Sequence, residues 1–252
     1  MATRVPAPPA APAGPPPADV DDHGSVRRDA VRARRWEATG AARVVRDVDA
    51  DRVDLGGLIT IGGALRAREV ASRGTLEVGG PVEVAEALTI EGSARIGAGL
   101  SAGSAHLRGR LECGGSLRVT GRTEWTGHLD ARGDLAGGPV LFDGRLTLDG
   151  ALTATTLDGR LRGRSRADRL AAERITLRAP RRLGPRGELT VLRIDAREVD
   201  LEGVVCEYLR ADRIVLGAGC EIARVDGTIV RQHAGGHVGP VSRSPPPPGL
   251  SR

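Results

Sequence analysis

Hydrophobic and polar residues alternate along residues 65–154 in short units of three. Each unit has an apolar residue, a mostly polar residue and a second apolar residue, as in the "LEV" of "GTLEVGGPVEVAEALTIEGSARIGAGL" (74–100). Twelve of the fifteen steps between successive units are six residues long and three are five. Such alternation is typical of half-buried β-strands, here about three residues long. Only three of the 32 inward positions are not apolar: Ser72, Thr123 and Gly137.

Glycine recurs once in every three units, at spacings of 17, 18, 17, 18, 17 and 15 residues. Three units therefore complete one circuit of the chain, called a turn below. Each turn has a corner where glycine bends the backbone without steric cost. The column extends back to Gly40, which places the start of the coil near Trp36. The predicted corner residues are Gly57, Gly74, Gly92, Gly109, Gly127, Gly144 and Gly159.

These two periodicities predict an all-β fold, a three-sided parallel β-helix with 17–18 residues per turn. Each strand would pair with its equivalent in the next turn, about 4.8 Å away. An α-helix would need a spacing of 3.6 residues, and a propeller blade needs about 40 residues or more. The usual handedness of parallel crossovers favours a right-handed coil.

Composition and periodicity divide the chain into five parts. Residues 1–35 are rich in Pro, Ala and Arg and are predicted to be a disordered tail. Residues 36–160 form the β-helix core, and residues 161–187 are an arginine-rich, irregular continuation of it. Residues 188–239 are expected to add further turns or a cap. Residues 240–252 are predicted to be a second disordered, proline-rich tail.

Composition adds little catalytic chemistry to this picture. All 37 basic residues are arginines and face 32 acidic residues, and the net charge of +5 permits an anionic partner without requiring one. The three cysteines stand at unrelated spacings, which indicates neither a zinc site nor a disulfide framework and fits a reducing compartment. We therefore expect no enzyme activity, no catalytic or metal-ligating residue, no cofactor and no small-molecule substrate. No apolar run is long enough for a membrane-spanning helix, and a cytoplasmic location is expected.

Two arginine-rich runs are the features that suggest a partner. Residues 27–35 carry five arginines against one aspartate, and residues 160–186 carry ten against two acidic residues. Residues 27–35 could dock on anionic lipid, and residues 160–186 could bind nucleic acid, a polyanionic glycan or an acidic partner surface; either run could instead be a solvated face. Aromatic residues make up only 2% of the chain, too few for stacking on bases, which disfavours nucleic acid. The candidate contact residues are Arg27, Arg28, Arg32, Arg34, Arg35, Arg160, Arg162, Arg164 and Arg166.

The ends of the predicted coil are a second candidate site. A parallel β-helix leaves unpaired strand edges at its ends, and each edge is a template for another chain. The proline-rich segment before the predicted first turn cannot pair as a strand. Contact between identical ends is isologous, so the sequence predicts a homopolymer without polarity. The predicted N-terminal end consists of Trp36, Ala38, Ala42 and Val44.

The units joined by Gly-Gly corners at residues 62–63, 79–80 and 114–115 resemble those of the bactofilins, bacterial cytoskeletal proteins that form polymers. The resemblance covers residues 36–160 and extends to about 239 through "DLEGVVCEYLRADRIVLGAGCEIARVDG", which is similar to the C-terminal region of longer members. It implies assembly without nucleotide or metal, alone or with a paralogue. The implied location is the cytoplasm, sometimes at the membrane, in support of cell shape or as a scaffold. The longer coil and the arginine-rich insertion depart from the short members.

Two other functions stay open. Hexapeptide-repeat acyltransferases also coil with about 18 residues per turn. They keep a strict step of six, a small residue at the first inward position and a catalytic histidine near a protruding loop. Here three steps are five, and the first inward residue is bulky, as at Leu65 and Leu76. The third reading is a monomeric β-helical module that binds an anionic partner through its arginine-rich segments.

Overall fold

A computed structural model of the protein describes residues 18–180, 187–233 and 236–242. Of the residues that the structure describes, 79% are in β-strands, and none of them forms a helix. Their strands, in chain order, are β1 (Val20–Arg28), β2 (Val31–Val44), β3 (Val48–Ile61), β4 (Leu65–Val78), β5 (Val82–Ile96), β6 (Leu100–Cys113), β7 (Leu117–Val119), β8 (Thr123–Ala131), β9 (Leu135–Gly137), β10 (Val140–Leu148), β11 (Ala151–Thr153), β12 (Thr156–Leu161), β13 (Arg164–Arg178), β14 (Glu188–Leu201), β15 (Val204–Leu216), β16 (Glu221–Gln232), β17 (His237–Val238) and β18 (Val241–Ser242).

Every strand pairs in parallel with the strand one turn away, and the described residues wind into a solenoid of about 12 turns. Strand β3, for example, pairs along its length with β2 on one side and β4 on the other. At about 4.8 Å per turn the rod is roughly 58 Å long. The predicted all-β, parallel β-helical fold is confirmed.

The core is one continuous column of apolar side chains inside the coil. It runs from Val31 in the second turn to Val225 near the C-terminal end. Ser72 and Thr123, two of the three exceptions to the apolar pattern, are also buried. Their burial shows that position in the repeat decides which side chains point into the coil, even where the side chain is polar.

The corner glycines stack on one another along the rod. From Gly57 to Gly127 the φ angles of the five column members lie between 101° and 127°, a region that side chains rarely adopt. A Cβ atom on Gly109 would overlap the carbonyl oxygen of Gly92 in the adjacent turn. Gly144 continues the column in register with Gly127. Glycine is therefore needed both for the bend and for the close approach of adjacent turns.

Gly159 does not lie in this column, contrary to the sequence interpretation. It pairs with Phe142, and the next corner position, opposite Gly144, is Leu161. Gly159 is buried, and a Cβ there would overlap the Phe142 ring. That ring stacks on Trp125 with 4.7 Å between ring centroids. Gly159 thus provides the space that the Trp125–Phe142 pair requires inside the coil.

The coil begins earlier than the predicted boundary at residue 36. Strand β1 pairs with β2 over its whole length, so residues 20–28 form a further turn before Trp36. The alternation is hard to recognise there because Asp22, on the inward side, is charged. The rest of the predicted N-terminal tail, residues 1–17, lies outside the described residues.

The segment predicted to be irregular, residues 161–187, is mostly a regular strand. Strand β13 pairs with β14 through twelve positions. Its first inward residues, Ser165 and Ala167, are small, which weakens the hydrophobic pattern. The Ser165 hydroxyl accepts a hydrogen bond from the Leu146 amide at 3.2 Å, so its burial leaves no unsatisfied group. Residues 181–186 lie outside the described ranges.

Residues 188–239 continue the coil through strands β14 to β17. Val241–Ser242, within the predicted C-terminal tail, still forms the short strand β18 against β16. Residues 243–252 lie outside the described part of the chain. The coil therefore extends through residue 242, and its ends are turns that the sequence had assigned to tails or caps.

Candidate functional site

The residues predicted to form the free N-terminal end lie one turn inside the coil. Val20 of β1 pairs with Trp36, and the same register continues to the end of both strands. All four predicted end residues are buried. The structure therefore moves the N-terminal end from β2 to β1, because β1 takes the pairing edge that the sequence analysis left open. The covered residues are Trp36, Ala38, Ala42 and Val44.

A charged pair closes the N-terminal end of the core. The Arg28 guanidinium donates hydrogen bonds from Nε and Nη2 to the two Asp22 carboxylate oxygens, both at 2.7 Å. The Trp36 indole N–H, one turn further in, donates to Asp22 Oδ2 at 3.0 Å. The Asp22 side chain is 4% exposed, whereas that of Arg28 is 40% exposed. The apolar column thus ends at a bidentate ion pair that faces solvent on its outer side.

The environment of Asp22 favours its charged form. The hydrogen bonds from Arg28 lower the pKa of the Asp22 carboxyl below its ordinary value of 3.8. Desolvation opposes this shift, and the hydrogen bond from Trp36 adds to it. A buried carboxylate with three charge-assisted or aromatic N–H donors is a satisfied group and acts as a polar cap on the coil. Nothing in the apolar–polar pattern indicates this cap, since charged residues at inward positions look like the loss of the repeat.

The C-terminal end differs from the N-terminal end because exposed apolar side chains lie there, beside Arg231 and Gln232. Strands β17 and β18 pair with only two residues each of β16, and no described strand pairs with the outer side of residues 228–232. Ile229 and Val238 are only partly buried against the core. Val230 and Val241 are each 52% exposed. Unpaired backbone and exposed valines coincide at this end.

Most arginines of the first basic run are neutralised by neighbouring acidic residues. Arg28 is bonded to Asp22, Arg34 to Asp19 at 2.7 Å, and Arg35 to Glu37 at 2.8 Å and to Asp54 at 3.2 Å. Among the described residues Arg27 and Arg32 have no salt-bridge partner. The run therefore presents much less free positive charge than its sequence indicates.

The second basic run is neutralised in part. Arg162 is bonded to Asp143 of the preceding turn. The arginines of β13 reach the following turn instead: Arg169 to Asp195, Arg174 to Glu198 and Arg178 to Asp200. Arg160, Arg164 and Arg166 have no salt-bridge partner within the described ranges.

Charge is balanced over the rod as a whole. Six of the 37 arginines, and none of the 32 acidic residues, lie outside the described residues, so the described coil carries a formal net charge of −1. Outward residues pair across turns, as where Arg95 lies 3.6 Å from Glu77 and 2.9 Å from Glu112. Exposed pairs of this kind contribute only about 0–1 kcal/mol each, but they leave little free charge on the faces. Binding of a charged partner is therefore restricted to places where this pairing fails.

The grooves on the faces are shallow, and they differ in lining: one of about 460 Å³ over β14 to β17 is mainly apolar, with Glu207 and Glu221 among its residues. Another, about 480 Å³, lies over β5 to β10 and includes the ion pairs of Arg95 and Arg110 with Glu112. Cys113 lines the same groove, is buried, and has its thiol pKa raised by burial. His106 lies 3.4 Å from Glu124 on another face. In the described ranges no three His, Cys, Asp or Glu side chains are grouped so as to hold a metal ion.

None of the described segments is a helix of sufficient length and apolarity to cross a membrane. Comparison of the chain with protein-family models, with curated proteins and with solved structures gives no match.

Proposed function

We propose that this protein is a structural, cytoskeletal element that associates with copies of itself through the ends of its coil, without nucleotide. The β-solenoid fold is consistent with a structural role. The resemblance of the Gly-Gly-cornered repeat to the bactofilins supports the same function. In this proposal the assemblies are filaments or a scaffold that supports cell shape or positions other proteins.

The C-terminal end carries this proposal. Among the described residues no strand covers the outer edge of residues 228–232, and the exposed Val230 and Val241 add apolar surface that association would bury. Residues 245–248 of the following segment are four consecutive prolines, which have no N–H to donate to a strand. A second copy of the same end supplies what this segment cannot, namely strand hydrogen bonds and apolar side chains.

The two ends are expected to associate with different strength. At the N-terminal end a second copy would have to cover Arg28, whose outer side is hydrated, and removing water from a charged group costs free energy. At the C-terminal end the same contact buries valines. Contact between identical ends is isologous, so the C-terminal contact alone gives a closed dimer. Longer filaments need the weaker N-terminal contact as well and therefore form at higher concentration.

The test is the state of association of the purified full chain without nucleotide, by sedimentation velocity and negative-stain electron microscopy. The wild type should form dimers and, at higher concentration, filaments. The Val230→Glu/Val241→Glu variant should sediment as a monomer. A Val45→Glu/Leu192→Glu variant is the matched control, because these two exposed apolar residues lie on the sides of the rod. Wild-type protein that stays monomeric at every salt and protein concentration tested would refute the proposal.

A further inference from the structure

One straight edge of the rod concentrates positive charge that is not paired. The register of β3 to β10 places six residues in a column immediately after the corner glycines, one per turn. Arg162 continues the column, since its amide donates to the Gly144 carbonyl oxygen at 2.8 Å. From the N-terminal side the column reads Leu58, Thr75, Ser93, Arg110, His128, Arg145 and Arg162.

Three further arginines beside this column, two before the corner and one after it, add to this charge. Arg108 precedes Gly109, Arg160 lies one turn beyond Asp143, and Arg164 follows Arg162 after Gly163. We call the group of seven the basic edge, and Asp143 is the single acidic residue between its members in the two rows. The basic edge consists of Arg108, Arg110, His128, Arg145, Arg160, Arg162 and Arg164.

Four members of the basic edge lack a salt bridge. Arg110 is bonded to Glu112 at 2.8 Å and Arg162 to Asp143. Within the described ranges Arg108, Arg145, Arg160 and Arg164 have no such partner, and all four are exposed. Adjacent turns are about 4.8 Å apart, so neighbouring charges lie within one Debye length, about 8–10 Å, and act together. Glu91, one turn before Arg108, and Asp158, in the same groove as Arg160, lie beside these arginines, so the basic edge keeps a positive excess on a rod with almost no net charge.

The same edge also presents an apolar side chain. Leu58 is 51% exposed and stands in the column three turns before Arg110. Within this column only the small residues Thr75 and Ser93 lie between them, and the row before the corner carries Arg73 and Glu91 there, which pair with each other at 3.7 Å. A planar surface could therefore meet Leu58 and the basic edge at once.

We propose that the rod binds the surface of an anionic phospholipid bilayer along this edge, with its axis parallel to the membrane. Arginines near such a surface are attracted to the acidic headgroups, and an exposed leucine can enter the boundary between headgroups and acyl chains. A convex edge fits a flat surface. Nucleic acid fits less well, because single strands bind by stacking on aromatic rings, and Trp125 and Phe142, the aromatic residues in these turns, are buried.

The size of the effect follows from the number of unpaired arginines. Each arginine close to an anionic surface strengthens binding about fivefold, so four together are expected to contribute more than a hundredfold. This inference goes beyond the proposed self-association, because it concerns the side of the rod and needs neither end. It can therefore be tested on the monomeric Val230→Glu/Val241→Glu background, where failure of one proposal does not affect the other.

The experiment is co-sedimentation of the full chain with vesicles of equimolar phosphatidylglycerol and phosphatidylcholine, compared with pure phosphatidylcholine. The edge variant replaces Arg108, Arg145, Arg160 and Arg164 by Gln. The matched control replaces by Gln four other exposed arginines that have no salt bridge among the described residues and lie away from the edge. These are Arg32, Arg43, Arg118 and Arg213.

The edge variant should lose binding to the anionic vesicles by more than a hundredfold, while the control stays within about twofold of the parent. Both should keep the parental melting temperature, since no salt bridge is removed. Leu58→Ser should weaken binding further. Equal losses in the edge and control variants would show that only net charge matters, and no loss in either would exclude the edge; both results overturn the proposal. So would efficient competition by a single-stranded oligonucleotide with no effect of Leu58→Ser.

Discussion

Replacing Gly109 by alanine tests whether glycine is needed at the corner for the bend, for the approach of adjacent turns, or for both. Gly109 has φ of +122°, where a residue with a side chain costs about 1–3 kcal/mol. Its Cβ would also overlap the carbonyl oxygen of Gly92, so two turns would have to separate locally. Loss of one inter-turn hydrogen bond adds about 0.5–1.5 kcal/mol.

The stiffer unfolded chain of the alanine variant offsets about 0.4–1 kcal/mol of this cost, so the expected destabilisation by Gly109→Ala is about 2–3 kcal/mol. For a chain of this size 1 kcal/mol corresponds to about 2–4 °C in melting temperature, which gives a decrease of about 4–12 °C. The measurement is thermal unfolding followed by far-ultraviolet circular dichroism, with urea unfolding as an independent assay.

Gly163→Ala is the matched control for this prediction. Gly163 has φ of +85° but nothing within 4 Å of the position that a Cβ would occupy. Its replacement retains the conformational cost of about 1–2 kcal/mol, reduced by about 0.4–1 kcal/mol through the stiffer unfolded chain. A net loss of at most about 1.5 kcal/mol is expected. If both variants lose the same stability, contact between stacked corners is not what selects glycine, and the reasoning fails.

Three further predictions concern the core. Asp22→Asn should lower the free energy of unfolding by about 1–3 kcal/mol at neutral pH. Because the folded-state pKa of Asp22 is lowered, its contribution is present above the ordinary value of 3.8 and is lost as pH falls through the folded-state pKa; a difference from wild type that persists in stronger acid would contradict this. Gly159→Ala should cost about 1–3 kcal/mol by crowding the Phe142 ring, and Phe142→Leu in the same chain should restore part of the loss in a double-mutant cycle; additive losses would argue against the contact. Burial raises the pKa of Cys206 to about 11, so its thiol should react with a thiol-specific disulfide reagent only after unfolding, and rapid reaction of the native protein would show that the site is open.

The solenoid could be predicted because its signal is repeated many times. Nearly every inward residue is apolar. The few polar ones, such as Ser72 and Thr123, still lie inside the coil because their neighbours in the repeat fix their position. The first turn could not be recognised in this way, since Asp22 and Arg28 occupy inward positions and carry charge. Their pairing depends on a bidentate contact across the end of the coil, which no one-dimensional pattern contains.

Gly159 was assigned to the glycine column although its spacing from Gly144 is shorter than one full turn. The corner glycines recur at 17 or 18 residues, whereas Gly159 follows Gly144 by 15. Gly159 is therefore two residues short of the corner position, and it lies at the preceding inward position, opposite Phe142. The discrepancy was thus visible in the sequence, but its cause, a large ring in the neighbouring turn, becomes clear only in the structure.

The candidate sites were predicted less well than the fold because they depend on which charges remain unpaired. Arg162 and Arg164 look alike in sequence, yet Arg162 is bonded to Asp143 and Arg164 is not bonded to any described acidic residue. Conversely, Arg108 and Arg145 belong to no arginine-rich run and were not singled out. Their place on the basic edge follows from the register, which brings residues 17 to 19 apart in sequence side by side.

A repetitive rod restricts where function can lie. Along its faces many outward charges meet a partner one turn away, as Arg95 meets Glu77 and Glu112, and the unpaired arginines there, such as Arg43 and Arg118, stand apart from one another. At each end no described turn lies beyond the last one to supply partners, and along the basic edge four arginines have no salt bridge to a described residue. The N-terminal end satisfies its own charges through Asp22 and Arg28, whereas the C-terminal end exposes Val230 and Val241. An end that associates and an edge that binds lipid are geometrically independent, so copies joined end to end can keep their basic edges available to one membrane surface.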